Sequence, residues 1–264
     1  MALRAETVGA SKAQLPLLNL AALAVLAGAF IALGAAFFTT ATTATDLGYG
    51  PTRLLGGVAF SLGLILVVIA GAELFTGNNL MVMAWAGGRI PTTALLRAWA
   101  VVYAGNFVGA AATAVLVALS GQWRFADQAV GANEVQIATA KVNLEVEEAF
   151  FLGVLCNGLV CMAVWLTYSA HSNLDKALAV VFPITAFVAS GYEHSIANMY
   201  FIPLKSQDAV LATGGPDPAA LEDLDVAHFL VANLLPVTAG NIVGGGVLVG
   251  AAYWFIYRRN ATAT

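Results

Sequence analysis

Two carboxylates and an imidazole stand where charge is expensive. Glu73 is the only Asp, Glu, Lys or Arg in the stretch 54–88, and Glu193 is the only one in 177–204. A carboxylate at the centre of a bilayer costs about 2.5–3.5 kcal/mol on insertion scales, so such a group needs partners or a task. Both glutamates lie in one pattern, G-x-E-x-x-x-x-N, running from Gly71 to Asn78 and again from Gly191 to Asn198. Gly71, Gly77 and Gly191 suit a helix interruption, and Asn78, Asn79 and Asn198 are poor helix-interior residues. The favoured reading is structural, with Glu73 and Glu193 bonding backbone N–H groups that an interruption frees. The alternative is that they line a path. His194 is read as functional: it lies deep in an apolar stretch, and Leu74 takes its place in the first copy. Thr76, Asn198 and His194 form a polar patch suited to a small anion, and half-helix starts carry partial positive charge. Lys141, at the start of the fourth apolar stretch, either draws anions to a mouth or snorkels to the interface.

The elements that position these groups follow from composition. The chain has 264 residues, 60% hydrophobic and 10% charged, with a mean hydropathy of +0.83. Soluble domains carry roughly 25% charged residues, so a water-soluble globule is excluded. A net charge of −4 leaves no basic footprint for nucleic acid. Cys156 and Cys161 cannot build a disulfide framework and read as packing residues, and neither a metal site nor a cofactor is expected. Stretches 13–45, 98–123, 149–174 and 226–257 hold no Asp, Glu, Lys or Arg. With 54–88 and 177–204 they give six candidate spans, each longer than the ~20 residues needed to cross the hydrocarbon core. The stretch 205–225, rich in Pro, Gly and acid, reads as an exposed loop. The first span is taken as a membrane helix, because its apolar part is too long for a signal-peptide core.

An even number of spans puts both termini on one side. Arg4, Lys12, Arg89, Arg97, Lys176, Arg258 and Arg259 then share that side, against Arg53, Arg124, Lys141 and Lys205 on the other. The positive-inside rule makes the first side cytoplasmic. Trp85, Trp99, Trp123, Trp165 and Trp254 fall near span ends, where indoles favour the headgroup layer. A second motif, A-G-N-x-V-G, also occurs twice, at 104–109 and 239–244. Both motif pairs keep their order, so the chain reads as one membrane domain, 1–264, made of half-repeats at about 13–123 and 141–257. Three spans is an odd number, so the halves must be inverted, with a site near the midplane where they meet. The expected fold is all-α: six transmembrane helices as an inverted 3+3 repeat, the second and fifth interrupted.

The runs GAELFTGNNLMVMAWAGGRI (71–90) and FVASGYEHSIANMYFIPL (187–204) resemble the formate/nitrite transporter family. So do YAGNFVGA and the long segment NLLPVTAGNIVGGGVLVGAAYWFIYRR, which looks more like the formate branch than the nitrite or hydrosulfide branches. The resemblance covers all six spans. It implies an aquaporin-like homopentamer in a bacterial inner membrane, with a pore in each protomer and no enzymatic activity. Carried over by position, it implies His194 as the central pore histidine, Thr76 facing it, and Lys141 with Asn157 as vestibule lysine and partner. It implies apolar constrictions involving Leu74, Phe75, Val160, Phe187 and Tyr192. Gly77 departs from the serine of enterobacterial formate channels.

A permeation mechanism follows from energetics. Moving a carboxylate-sized ion into low dielectric costs ideally about 20 kcal/mol, and several kcal/mol after relaxation. Protonating a carboxylate of pKa about 4 at pH 7 costs roughly 4 kcal/mol. Neutralisation is therefore competitive with passing a bare anion, with His194 lending or relaying the proton, and the expected partners are formate (or nitrite or hydrosulfide), protons, lipid and further copies of the chain. Two rivals are weaker. A neutral-solute channel would want paired Asn-Pro-Ala turns, which the sequence lacks. An intramembrane hydrolase would need Ser190 or Ser195 paired with His194.

Overall fold

The computed structural model describes residues 1–203 and 226–260. The loop expected at 205–225, with Lys205, lies outside the described residues. Those residues are helical, with no strand among them. The elements are α1 (Ala2–Ala13), α2 (Leu17–Thr42), α3 (Tyr49–Ala70), α4 (Phe75–Asn78), α5 (Val82–Ala86) and α6 (Thr92–Ser120). They continue as α7 (Ala129–Val142), α8 (Val146–Thr167), α9 (Asn173–Ala189), α10 (Ser195–Phe201) and α11 (His228–Tyr257).

Local chemistry explains the boundaries. Pro16 and Pro91 stand immediately before α2 and α6, where a missing N–H costs nothing. Gly121, at φ +74°, ends α6 in the left-handed conformation that glycine adopts freely. A capping box starts α9: Ser172 Oγ accepts from Asp175 N–H, and the Asp175 carboxylate accepts from the Ser172 N–H. A further bond from His171 N–H, with those of Ser172, holds the Asp175 carboxyl below its ordinary range.

Among the described residues, α2, α3, α6, α8 and α11 are long and apolar enough to cross a membrane, so this is a multi-pass membrane protein. The fifth expected span, 177–204, is not among them. It is occupied by the 17-residue α9, which begins at Asn173 and carries an internal Pro183, and by the seven-residue α10. Between them Gly191 sits at φ +76°, a conformation no α-helix contains, so neither piece alone reaches span length. The indoles also divide: Trp85 is exposed, but Trp165 is buried against Tyr253 at 4.4 Å between ring centroids.

Packing groups the long helices in two sets built alike. α2 lies against α3 and α6, α8 lies against α9 and α11, and α3 meets α9 across the middle. Close backbone approach within each set depends on the glycines of A-G-N-x-V-G. A Cβ at Gly109 would fall 1.9 Å from Val25 O, and one at Gly244 would fall 2.1 Å from Val154 O. With no water-driven attraction between helices in lipid, such small-residue contacts supply the association.

Gly244→Ala is therefore expected to force α8 and α11 apart and to cost about 1–3 kcal/mol, as overpacking does. Gly158→Ala, which adds a Cβ with nothing within 4 Å, is the neutral control. Thermal unfolding of the purified protein in detergent compares the two.

Candidate functional site

The site is built where helices stop and resume. α3 ends at Gly71, φ +78°, the backbone runs extended through Leu74, and helix begins again at Phe75. α9 ends near Ser190, Gly191 reverses the chain, and His194 is extended before α10 starts at Ser195. Each interruption would strand backbone polar groups, and one asparagine repairs each. Asn106 Nδ2 donates to Ala24 O (2.7 Å) and Glu73 O (2.9 Å), and its Oδ1 accepts from Phe75 N–H (2.9 Å). Asn241 repeats the set, with Nδ2 donating to Gly153 O (2.8 Å) and Glu193 O (3.0 Å) and Oδ1 accepting from Ser195 N–H (3.0 Å). Both asparagines are fully buried. These are the residues at the centre of A-G-N-x-V-G, and the motif's recurrence was the signal for them.

The glutamates do something other than the expected bonding to freed N–H groups. Glu73 Oε2 accepts from Lys12 Nζ (3.0 Å) and Asn78 Nδ2 (2.8 Å), and Lys12 also donates to Asn78 Oδ1 (2.7 Å). Glu193 Oε1 accepts from Lys141 Nζ (2.7 Å), and its Oε2 accepts from Asn198 Nδ2 (2.7 Å). The carboxylates take ammonium partners instead. Two lysine–glutamate–asparagine groups result, one in each half. A buried carboxylate that stays ionised needs such pairing.

Asn157 is not the partner of Lys141. Its Nδ2 is committed to Thr76 O (3.2 Å) and Asn241 O (2.7 Å), while Lys141 is held by Glu193. Cys161 is more than packing, since its thiol donates to Thr76 O at 3.3 Å. Asn157 and Cys161 together fix the carbonyl of the residue that meets the histidine. Thr76 Oγ1 lies 3.0 Å from His194 Nε2, and both side chains are buried. His194 Nδ1 accepts from Ala197 N–H (3.1 Å), capping α10. That bond takes the Nδ1 lone pair, so the ring proton of the neutral imidazole sits on Nε2 and points at Thr76. Neither ring nitrogen bonds Ser190 or Ser195, so the nucleophile–base pair a hydrolase needs is not formed.

Two cavities flank this contact. The first, of about 440 Å³, is bordered by Arg53, Lys141, Glu193, His194, Phe187 and Tyr192. The second, of about 220 Å³, is bordered by Arg4, Lys12, Glu73, Leu74, Gly77 and Lys176. Phe187 stacks on the His194 ring at 5.9 Å and 18°. Phe75 borders neither cavity; it packs edge-on against Trp99 and Tyr103. Val160 is likewise buried in the core.

The sequence reading missed the part played by Lys12. It comes from α1, which is anchored by Glu6, a fully buried carboxylate that forms an ion pair with Arg89 Nε (3.0 Å) and accepts a hydrogen bond from Arg258 Nε (2.9 Å). Nothing in the spacing of α1 signals that Lys12 reaches Glu73. Glu134 on α7, in the connection between α6 and α8, was also missed: it is buried, and desolvation pushes its carboxyl up to about 7.

Comparison with known proteins fits this arrangement. The sequence model described as "Formate/nitrite transporter" matches residues 1–255. The chain belongs to the formate/nitrite transporter family. It is 46% identical to the formate channel FocA of Escherichia coli K12 over 98% of this chain and 93% of that protein. FocA of Haemophilus influenzae is also 46% identical, over 91% of this chain and 85% of that protein. Among solved structures, a "Pentameric formate channel with formate bound" matches with a TM-score of 0.84 at 43% identity, covering 91% of this chain and 97% of that one. An "FNT family ion channel" matches with a TM-score of 0.83 at 31% identity, covering 97% and 98%.

The Glu134 carboxyl makes a family transporter of this kind pH-sensitive in its stability. With the folded pKa raised above the unfolded value, the native state holds the extra proton between the two, and stability falls as pH rises through that window to about 7. Glu134→Gln is expected to match wild type near pH 4.5 and to melt at a higher temperature at pH 8, read by melting curves across pH.

Proposed function

We propose that this chain is a channel for small monovalent weak-acid anions, formate first, with one pore in each protomer of a homopentamer in a bacterial inner membrane. The observation that carries the reading is the Thr76–His194 contact between two cavities, each bordered by a lysine–glutamate pair. Relatives at 46% identity are named formate channels, and a structural neighbour at 43% identity is a pentameric formate channel with formate bound.

The same reading takes α3 with α4 and α5 as one interrupted span, and α9 with α10 as another. Six spans result, in an inverted 3+3 repeat. Its support is that the asparagine clamp and the lysine–glutamate–asparagine group each recur three spans later. Glu6, bonded to Arg258, brings the start of the chain beside its end, and the balance of Lys and Arg makes that face cytoplasmic.

In this mechanism the two mouths collect anions by charge, and the apolar rings admit only a neutral species. Leu74 narrows the path from the α1 side, and Phe187 with Tyr192 narrows it from the α7 side. His194 offers its Nε2–H to the anion in place of Thr76. With Nδ1 committed to Ala197 N–H, a proton given from Nε2 must be restored at Nε2, and forming imidazolium requires releasing the α10 cap. Formate therefore crosses as formic acid with the proton arriving alongside it, held in line by Nε2 and Thr76.

Formate flux into proteoliposomes, with a pH dye inside, tests this for wild type and His194→Phe. Wild type is expected to carry protons with formate, and the variant to lose that coupling while remaining assembled by size-exclusion chromatography. Anions of other weak acids should follow formate, whereas chloride or nitrate flux equal to formate flux would overturn the mechanism. Formate current without protons in both proteins would make His194 structural and the pore a plain anion channel.

A further inference from the structure

The larger cavity holds two cations, and only one of them is neutralised. Lys141 is paired with Glu193 at 2.7 Å. Arg53, in the first turn of α3, pairs with no carboxylate among the described residues. Its Nε donates to Ala189 O (3.2 Å) and its Nη2 to Val188 O, the last carbonyls of α9. A cation beside the start of its own helix is electrostatically misplaced, whereas the C-terminal end of a neighbouring helix favours it. The carbonyls are dipoles, not counter-charges, so the full positive charge of Arg53 stays on the cavity wall. His194 is neutral by its cap, so with Lys141 paired to Glu193 the net charge of the bordering side chains is that of Arg53.

The donor geometry is equally specific. The bonds to α9 use the Nε edge and one Nη2 N–H, and Nη1 has no hydrogen-bond partner among the described residues. The guanidinium lies over Phe38 with its carbon 5.7 Å from the ring centroid. Phe38 packs edge-on against Phe201, over which Lys141 Nζ stands at 5.5 Å. An aromatic pair thus separates and orients two cations on the wall of one cavity. The fixed guanidinium plane, held at one edge and open at the other, suits a planar carboxylate.

We infer that Arg53 is the anion-recruiting residue of this cavity, gripping small planar carboxylates by its Nη1 edge before they reach Lys141 and His194. The inference rests on the channel reading above and adds to it a residue that sets capture rather than the proton step. A lysine at this position would keep the charge but lose the fork. A glutamine would lose the charge while remaining able to bond an α9 carbonyl.

The experiment measures formate uptake into proteoliposomes against formate concentration, at low and at high ionic strength, for wild type, Arg53→Lys and Arg53→Gln. In Arg53→Gln the half-saturating formate concentration is expected to rise roughly tenfold at low salt, the scale on which charge focusing acts, with maximal flux kept. Its dependence on salt should flatten, while Arg53→Lys keeps the salt dependence and shows a severalfold weaker half-saturation. Half-saturation within twofold of wild type in both variants, or a fall in maximal flux alone, would overturn the inference and leave Arg53 as a cap for α9. Should Arg53→Gln fail to assemble, the half-saturation of Arg53→Lys decides: unchanged, it overturns the inference. Absence of formate uptake by assembled wild type would overturn the channel reading itself, a result distinct from either variant outcome.

Discussion

The constraint on which the rest depends is that a helix may stop inside a membrane only if something bonds the groups it strands. Lipid offers no hydrogen bonds, and each unsatisfied backbone group costs several kcal/mol. Here a single asparagine per half, Asn106 or Asn241, donates to two carbonyls and accepts from the first N–H of the resumed helix. With these two side chains bonding across the breaks, Glu73 and Glu193 hold lysines, and Thr76 meets His194 at 3.0 Å. The glycines at 71 and 191 turn the chain, but the asparagines make the turn affordable.

Charge follows the same economy. Glu73 and Glu193 each have an ammonium within 3.0 Å and an amide N–H within 2.8 Å, so neither is a bare charge in low dielectric. The two groups are not identical copies. Lys12 bonds both the carboxylate and Asn78, while Lys141 bonds only the carboxylate and the asparagine on its side turns instead to Asn233. Asymmetry of this kind is where two mouths of one repeat can differ in affinity without differing in scaffold.

Much of this was legible in the sequence, because both motifs occur twice in the same order, and repetition of rare residues in an apolar chain is hard to produce by accident. The glutamates and His194 announced themselves by being charged or titratable in long uncharged stretches. What was not legible is long-range and geometric. Lys12 is 61 positions from Glu73, on a helix outside every span, and only the fold brings them together. Asn157 was paired with Lys141 by resemblance, yet its amide is spent on the carbonyls of Thr76 and Asn241. An interruption of the fifth span was expected from Gly191, but hydropathy registers apolar length alone and does not give the lengths of its two pieces, α9 and α10.

The lysines of the two groups, Lys12 and Lys141, come from α1 and α7, and neither helix is among those long enough to span. In the proposed channel the two carboxylate-bound ammoniums are thus carried by short helices, while the long helices hold the asparagine clamps and, on α3, Arg53. On that reading, substitutions in α1 or α7 retune the anion mouths without disturbing the backbone bonding on which insertion into lipid depends. Such a division lets one bundle of membrane helices serve different chemical surroundings, with adaptation confined to its accessories.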